Sequence, residues 1–501
     1  MVNTLKPPKG GAVVRMYRIG HGDCFLIAFA GEQPDKPAYV LIDCGYKPGS
    51  PAKLANPTEV EEIGQDIIDV TGGVVDVAVI THEHQDHVNG LTPTNFPGLK
   101  VGKVWFAWTE NPDDDIANQM RKKFNDRLLG LIDAHANMLG AGQSDDLVAN
   151  FLEGELGEEA SEYNGLNSLG AAGKDPAKSA NKIAMKFLRD CAAPRDLEYL
   201  YPHEKQRPVP GAATARVFVL GPPRDIDKID DLDPIGAENF GDGGHGMGAG
   251  TGGVGDDGKK MSPFPRRHVL SMERAFDSST ADNFFATHYG IEGNGADDAP
   301  DGKSIHDNAD WRRLKANETD AGGLALAMSN ATNNASLVLA FELSKGGKVL
   351  LFVGDAQAGN WRSWSEGSFT DGTAEVTVKD LLGRTVLYKV GHHGSHNATL
   401  NGKARSKQAS LAWMARGQNA AEFVAMITAV EAWAHRKPKP DWNHPLPAIK
   451  TALVEKAGGR VLQTDTSLAQ TTPVGAGAAG WQSFLSRVTE TPLYFDLTVE
   501  D

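Results

Sequence analysis

The chain has 501 residues, 40% of them hydrophobic and 23% charged, with a formal net charge of −15. That length exceeds what one compact core holds and favours one large elaborated domain or two, while the acidic balance argues against a broadly basic nucleic-acid surface. No apolar run reaches the length of a membrane span, the opening MVNTLKPPKGGAVVRMYRIG lacks an apolar signal core, and three widely spaced cysteines, Cys24, Cys44 and Cys191, form no disulfide framework, so a reducing cytoplasm is the expected setting.

In chain order, VRMYRIG, CFLIAFAG and AYVLIDCG are apolar runs punctuated by glycine and polar turns, and they read as successive strands. VDVAVIT and KVWFAW follow, with a helix expected from Val88 onward between them. Residues 114–139 and 177–192 read as helices, and RVFVLGPP at 216–223 as a strand. From Arg224 to about Asn330 the chain is rich in Gly and Asp, including GDGGHGMGAGTGGVGDDG, which reads as an inserted loop region with little regular structure. SLVLAFEL and KVLLFVGD predict a hairpin turned at Lys345–Gly347. TVLYKVGHHG, FVAMIT and RVLQTD are three further strands, the last preceded by a helix, LPAIKTALVEKAG. Strands interleaved with helices on a chain of this length predict a layered α/β fold.

The chemistry concentrates at strand ends. In VDVAVITHEHQDHVNG, residues 75–90, a valine-rich run stops in His82, Glu83, His84, Gln85, Asp86 and His87. Imidazoles and a carboxylate converging where a buried strand stops would cost several kcal/mol if left unpaired. A bound cation removes that cost, because neutral imidazoles and carboxylates are the ligands zinc and related ions prefer. Asp43 closes AYVLIDCG, Asp355 closes KVLLFVGD, and His392 and His393 close TVLYKVGHHG. Four apolar strands ending in such groups predict one shared site at a sheet edge.

With these motifs in their order, the chain resembles the metallo-β-lactamase superfamily, and more closely the hydrolase domain attached to bacterial DNA-uptake channel proteins. IGHGDCFLI, LIDCG, HEHQDHVNG, VLGPP, NNASLVL, LLFVGDA, YKVGHHGSHNAT, NHPLP and RVLQTD carry the resemblance; they cover both ends of the chain and little of 91–330. The resemblance implies a four-layer αβ/βα sandwich. Its two halves would be 1–110 and 331–501. Residues 111–330 would form a helical and loop-rich insertion holding one core strand near 216–223. It implies one or two zinc ions, with manganese as an alternative. His82 and His84 would hold one ion, Asp86, His87 and His393 the other, and Asp355 would bridge them. His392 is the rival to His393, which directly precedes the glycine. Asp43 would brace the metal loop. The superfamily's further histidine before the SLVLAFEL strand is replaced in ATNNAS by Asn333 or Asn334, a poorer ligand; His203, His245, His288 or His306 could fold back to fill that gap.

The implied reaction is hydrolysis by a metal-activated hydroxide, with Asp86, Asp43, His392 and His444 as its catalytic and supporting groups and His444 placed to protonate the leaving group. Ser395, His396 and Thr399 follow the ligand and could hold phosphate oxygens. His21 in GHGD reads as structural. HRKPKPDW, 435–442, is a small basic-aromatic patch. The expected substrate is a small phosphodiester or short nucleic acid. The rivals are an ester, lactone or β-lactam hydrolase and a metal-stabilised binding module without turnover. No membrane association is expected, and no protein partner can be inferred.

Overall fold

Alternating large apolar residues build two mixed sheets. The computed structural model describes residues 5–33, 35–50, 60–140, 146–156, 179–234, 236–240, 321–365, 367–437, 442–469, 471–473 and 477–501. The Gly/Asp-rich run expected at 241–258 lies outside these residues, as do His245, His288 and His306.

The first sheet takes β1 (Ala12–Tyr17), β2 (Cys24–Gln33), β3 (Lys36–Cys44), β4 (Val74–Val79), β5 (Lys100–Ala107) and β6 (Leu197–Leu200). The chain then enters the second sheet with β7 (Arg207–Pro208), β8 (Arg216–Gly221), β9 (Val338–Glu342) and β10 (Val349–Phe352). A separate hairpin, β11 (Ser368–Asp371) and β12 (Ala374–Thr377), precedes β13 (Thr385–Lys389), β14 (Val424–Ile427) and β15 (Val461–Gln463). Finally β16 (Val488–Glu490) and β17 (Tyr494–Val499) return to the first sheet. The spatial orders are β16-β17-β1-β2-β3-β4-β5-β6 and β15-β14-β13-β10-β9-β8-β7. Strands β3 to β6 run parallel, as do β10, β13, β14 and β15. β9 and β10 form the expected antiparallel hairpin.

Period-two alternation sends one set of side chains between the sheets. Met16, Phe25, Ile27, Val40, Ile42 and Val79 of the first sheet share a core with Leu339, Phe341, Leu350, Phe352 and Met426 of the second. Phe25 meets Phe352 edge-on with centroids 5.3 Å apart. The other faces are covered by helices. Ile63 and Ile67 of helix Val60–Thr71 and Met185 and Leu188 of helix Ala180–Cys191 pack on the first sheet. Trp361 and Trp364 of helix Ala358–Trp364 and Ile449 and Leu453 of helix Pro447–Ala457 pack on the second. The molecule is therefore mixed α/β, with two sheets sharing one core. Among the described residues no helix is long and apolar enough to cross a membrane.

Two expectations change. The helix expected from Val88 onward is instead a single turn, Gln85–Val88, followed by turns as far as β5; Asn89, Gly90 and Pro93 stop it. The insertion read as loop to about Asn330 ends in helix Ala321–Asn334, which packs through Ala325 and Met328 on Leu131 and Ile132 of helix Asp115–Gly140.

Candidate metal centre

Parallel strands present their carboxyl ends on the same side, where open α/β sheets collect ligand-binding groups. Asp43 stands near the end of β3, the HEHQDH motif follows β4, Asp355 follows β10, and His392 and His393 follow β13. Asp43, His392 and His393 all hold φ between 43° and 53°, sharp left-handed turns that aim their side chains back over the sheet edges.

One carboxylate is central. Asp355 Oδ1 lies 3.1 Å from His87 Nε2, and its Oδ2 lies 3.8 Å from both His392 Nε2 and His393 Nε2 and 3.9 Å from His82 Nε2. His393 Nε2 is 3.0 Å from Asp86 Oδ2. Asp86, His87, Asp355 and His393 each offer an atom within 4.8 Å of all the others, and all four are buried. His84 stands on the rim, its ring centroid 4.7 Å from that of His82.

The outward ring nitrogens are engaged. His87 Nδ1 donates to Asp43 Oδ2 at 2.8 Å, and Asp43 also accepts from Thr81 N at 2.8 Å and Thr81 Oγ1 at 2.6 Å. His393 Nδ1 donates to the Thr428 carbonyl at 3.0 Å. Each arrangement fixes the tautomer and turns the Nε2 lone pair toward the cluster, the usual support of a metal-bound histidine. His82 Nε2, His87 Nε2 and Asp355 Oδ2 are buried without a hydrogen-bond partner. Buried imidazole nitrogens and carboxylate oxygens of this kind could hold a metal ion.

Electrostatics support ligation. Burial lowers His82 well below the usual histidine range, lowers His84 to about 4 and lowers His392 to about 3, so these rings are neutral near pH 7. Burial also opposes charge on His87, but Asp355, Asp23 and Asp43 outweigh it and raise that ring well above the usual value, so a cation bound there would displace the Nε2 proton. Burial works against ionisation of Asp355 and Asp86; His87 and the neighbouring histidines overcome it for Asp355, and Lys47 with His393 for Asp86.

Two participants were not anticipated. Asp23, 2% exposed, accepts from Thr428 Oγ1 and lies 3.6 Å from His87 Nδ1 and 3.8 Å from His393 Nδ1. Lys389, at the end of β13, pairs with Asp23 and lies 3.5 Å from Asp355 Oδ1, while donating to the Gly354 carbonyl at 2.8 Å. A lysine inside the apolar run TVLYKV was the available signal.

The asparagines separate clearly. Asn334 is consumed by the fold: its Nδ2 donates to the carbonyls of Lys228, Ile229 and Asp231, and its Oδ1 accepts from Gln357 N and Asn360 N. Asn333 faces the cluster, with Nδ2 3.3 Å from His392 Nε2. His203 does not fill the gap, since it packs on Phe369 with centroids 5.6 Å apart. The expected phosphate-holding groups are engaged elsewhere. Thr399 is fully buried and bonded to the Tyr388 hydroxyl at 2.9 Å. Ser395 donates to Asn397 Oδ1 at 3.1 Å, and His396 Nε2 lies 3.2 Å from Asp233 Oδ1. His21 is more than a turn residue: its ring lies 4.4 Å from that of His393, stacks on His444 at 5.6 Å and approaches Trp433 and Trp442. Residues 438–441 of the basic-aromatic patch lie outside the described residues. Compared with protein-family models and with curated proteins, the chain matches none.

Proposed function

We propose that the chain is a metal-dependent hydrolase of the metallo-β-lactamase superfamily, with that family's four-layer αβ/βα sandwich, acting on small phosphodiesters or short nucleic acids. The observation that carries the reading is the convergence of the HEHQDH motif and His393 on the single carboxylate of Asp355 at one sheet edge. Asp86, His87 and His393 would hold one cation, and His82 and His84 another, with Asp355 between them. His392 is the better candidate than Asn333 for the remaining place beside His82, because its Nε2 is as close to Asp355 Oδ2 as that of His393.

Divalent cations held there supply the Lewis acidity that makes water nucleophilic near neutral pH and offset charge on the bond under attack. The chain's own groups do the rest. Asp43 and Thr428 orient His87 and His393. Lys389 pairs with Asp23 and lies beside Asp355. Burial holds the His444 imidazole neutral, so it packs beside His392, with ring centroids 5.2 Å apart, rather than serving as a proton donor.

Two observations favour a second reading, hydrolysis of an ester, lactone or β-lactam. The net charge of −15 gives little general attraction to polyanions, and Ser395, His396 and Thr399 are engaged within the fold. Metal analysis of the purified protein, followed by a panel of bis(p-nitrophenyl) phosphate, a chromogenic cephalosporin and a lactone, separates the readings. Turnover of the phosphodiester that is lost on chelation and restored by zinc or manganese is the expected result. Bound metal with no turnover of any substrate would leave a binding module.

A further inference from the structure

Lys47 overlooks the cluster from the solvent side. Its ammonium lies 2.9 Å from Asp86 Oδ1, and its side chain is 27% exposed against 4% for that of Asp86. The other lysine at the cluster, Lys389, is 1% exposed and sits beneath it. The backbone of Lys47 is pinned: its N–H donates to the His21 carbonyl at 2.8 Å, and its own carbonyl accepts from Ser50 N at 3.1 Å and from Ser50 Oγ. Next to it, Tyr46 N donates to Asn89 Oδ1 at 3.0 Å, and Asn89 Nδ2 returns a bond to the Tyr46 carbonyl at 2.9 Å. The loop that carries the ammonium is thus tied to the end of the motif that carries the ligands. The charge is held at a set place on the rim, and its acidic partner is itself a candidate ligand.

A partly exposed ion pair of this kind contributes little to folding. A cation held by Asp86 and His393 would draw on the same carboxylate and turn the ammonium, on its pinned backbone, toward the mouth as a donor of up to three hydrogen bonds. We propose that Lys47 is an anion clamp that binds a non-bridging oxygen of a phosphate group at the mouth of the metal centre and so selects phosphodiesters over neutral esters. The proposal rests on the hydrolase reading above and names its substrate class.

The test uses the full chain, metal-loaded, as wild type, Lys47→Ala and Lys47→Arg. Calorimetric titration with inorganic phosphate reads the clamp without turnover, and metal content is measured alongside. Lys47→Ala should bind phosphate about 10- to 100-fold more weakly at unchanged metal content, the range for losing a hydrogen bond to a charged group, and Lys47→Arg should stay close to wild type. The KM for bis(p-nitrophenyl) phosphate should rise in Lys47→Ala, while the rate on neutral p-nitrophenyl acetate stays unchanged. Wild-type phosphate affinity in Lys47→Ala would overturn the proposal. So would loss of metal from that variant, or an equal loss on the neutral ester, because either would make Lys47 a structural partner of Asp86. Phosphate binding that depends on Lys47 in a protein without turnover would sustain the clamp while removing the hydrolase reading.

Discussion

Asp43→Asn is the most discriminating change the structure offers. The Asp43 carboxylate is fully buried and accepts three hydrogen bonds, from Thr81 N, Thr81 Oγ1 and His87 Nδ1. Its backbone sits at φ 53°, a conformation asparagine shares readily and alanine adopts at a cost of about 1–2 kcal/mol. Asparagine therefore keeps the turn and the shape and removes only the charge and one acceptor. Its single oxygen can still accept from Thr81 N. Its amide N–H then faces His87 Nδ1, which must become an acceptor. The His87 proton moves to Nε2 and points at Asp355, where a metal would need a lone pair. Loss of such a supporting partner typically weakens metal binding about 10- to 100-fold, or roughly 1.4–2.8 kcal/mol. Asp43→Ala is harsher: three donors lose this acceptor, at about 1–3 kcal/mol for each left unpaired, and the turn is strained besides.

Competition for metal against a chromophoric chelator reads the affinity, and circular dichroism with a thermal melt in EDTA reads the fold. Asp43→Asn should keep wild-type secondary structure and lose metal affinity by the factor given. Affinity within twofold of wild type would refute the claim that Asp43 sets the tautomer of His87, and with it the assignment of His87 as a ligand.

Asp355→Ala should abolish turnover while the far-ultraviolet circular dichroism stays unchanged, since this carboxylate faces four imidazoles; a wild-type rate would exclude a shared-carboxylate centre. Asn333→His should fold and tighten metal at the His82 position, whereas Asn334→His should lower the melting temperature through the loss of five hydrogen bonds, about 3 kcal/mol or more; equal behaviour of the two variants would refute the distinction. In Gly45→Ala the new Cβ would lie 2.4 Å from His87 N and Val88 N, so the variant should lose metal even where it folds, as metal analysis would show.

The candidate ligands were legible because they are dense and local. HEHQDH spans six positions, and its preceding strand is a plain apolar run. Asp355 and His393 were legible for the same reason, at the ends of KVLLFVGD and TVLYKVGHHG. The hairpin at Lys345–Gly347 announced itself through Gly346, which holds φ 77°. Helix Ala321–Asn334 was not legible: AGGLALAMSNATNN carries two glycines and three asparagines, poor helix formers, and it packs through Ala325 and Met328 on helix Asp115–Gly140. Strands β16 and β17 were missed as well. RVTETPLYFDLTV mixes polar and apolar residues, and its pairing with β1 joins the two ends of the chain, a contact that no local pattern encodes.

Asp23 and Lys389 show why the rest of the site was hidden. Each breaks the pattern of its own segment, and the two pair with each other across the fold. Four carboxylates, Asp23, Asp43, Asp86 and Asp355, lie at most 3% exposed around one point. In a medium of low dielectric their repulsion would raise their proton affinity and neutralise them. Lys389 beside Asp23 and Lys47 beside Asp86 offset part of that repulsion. Two ammonium groups against four carboxylate side chains leave a place for further positive charge, which a divalent cation would supply. A lysine buried in an apolar strand is a local violation whose compensation lies across the fold, and such violations concentrate where a site must be charged and dry at once.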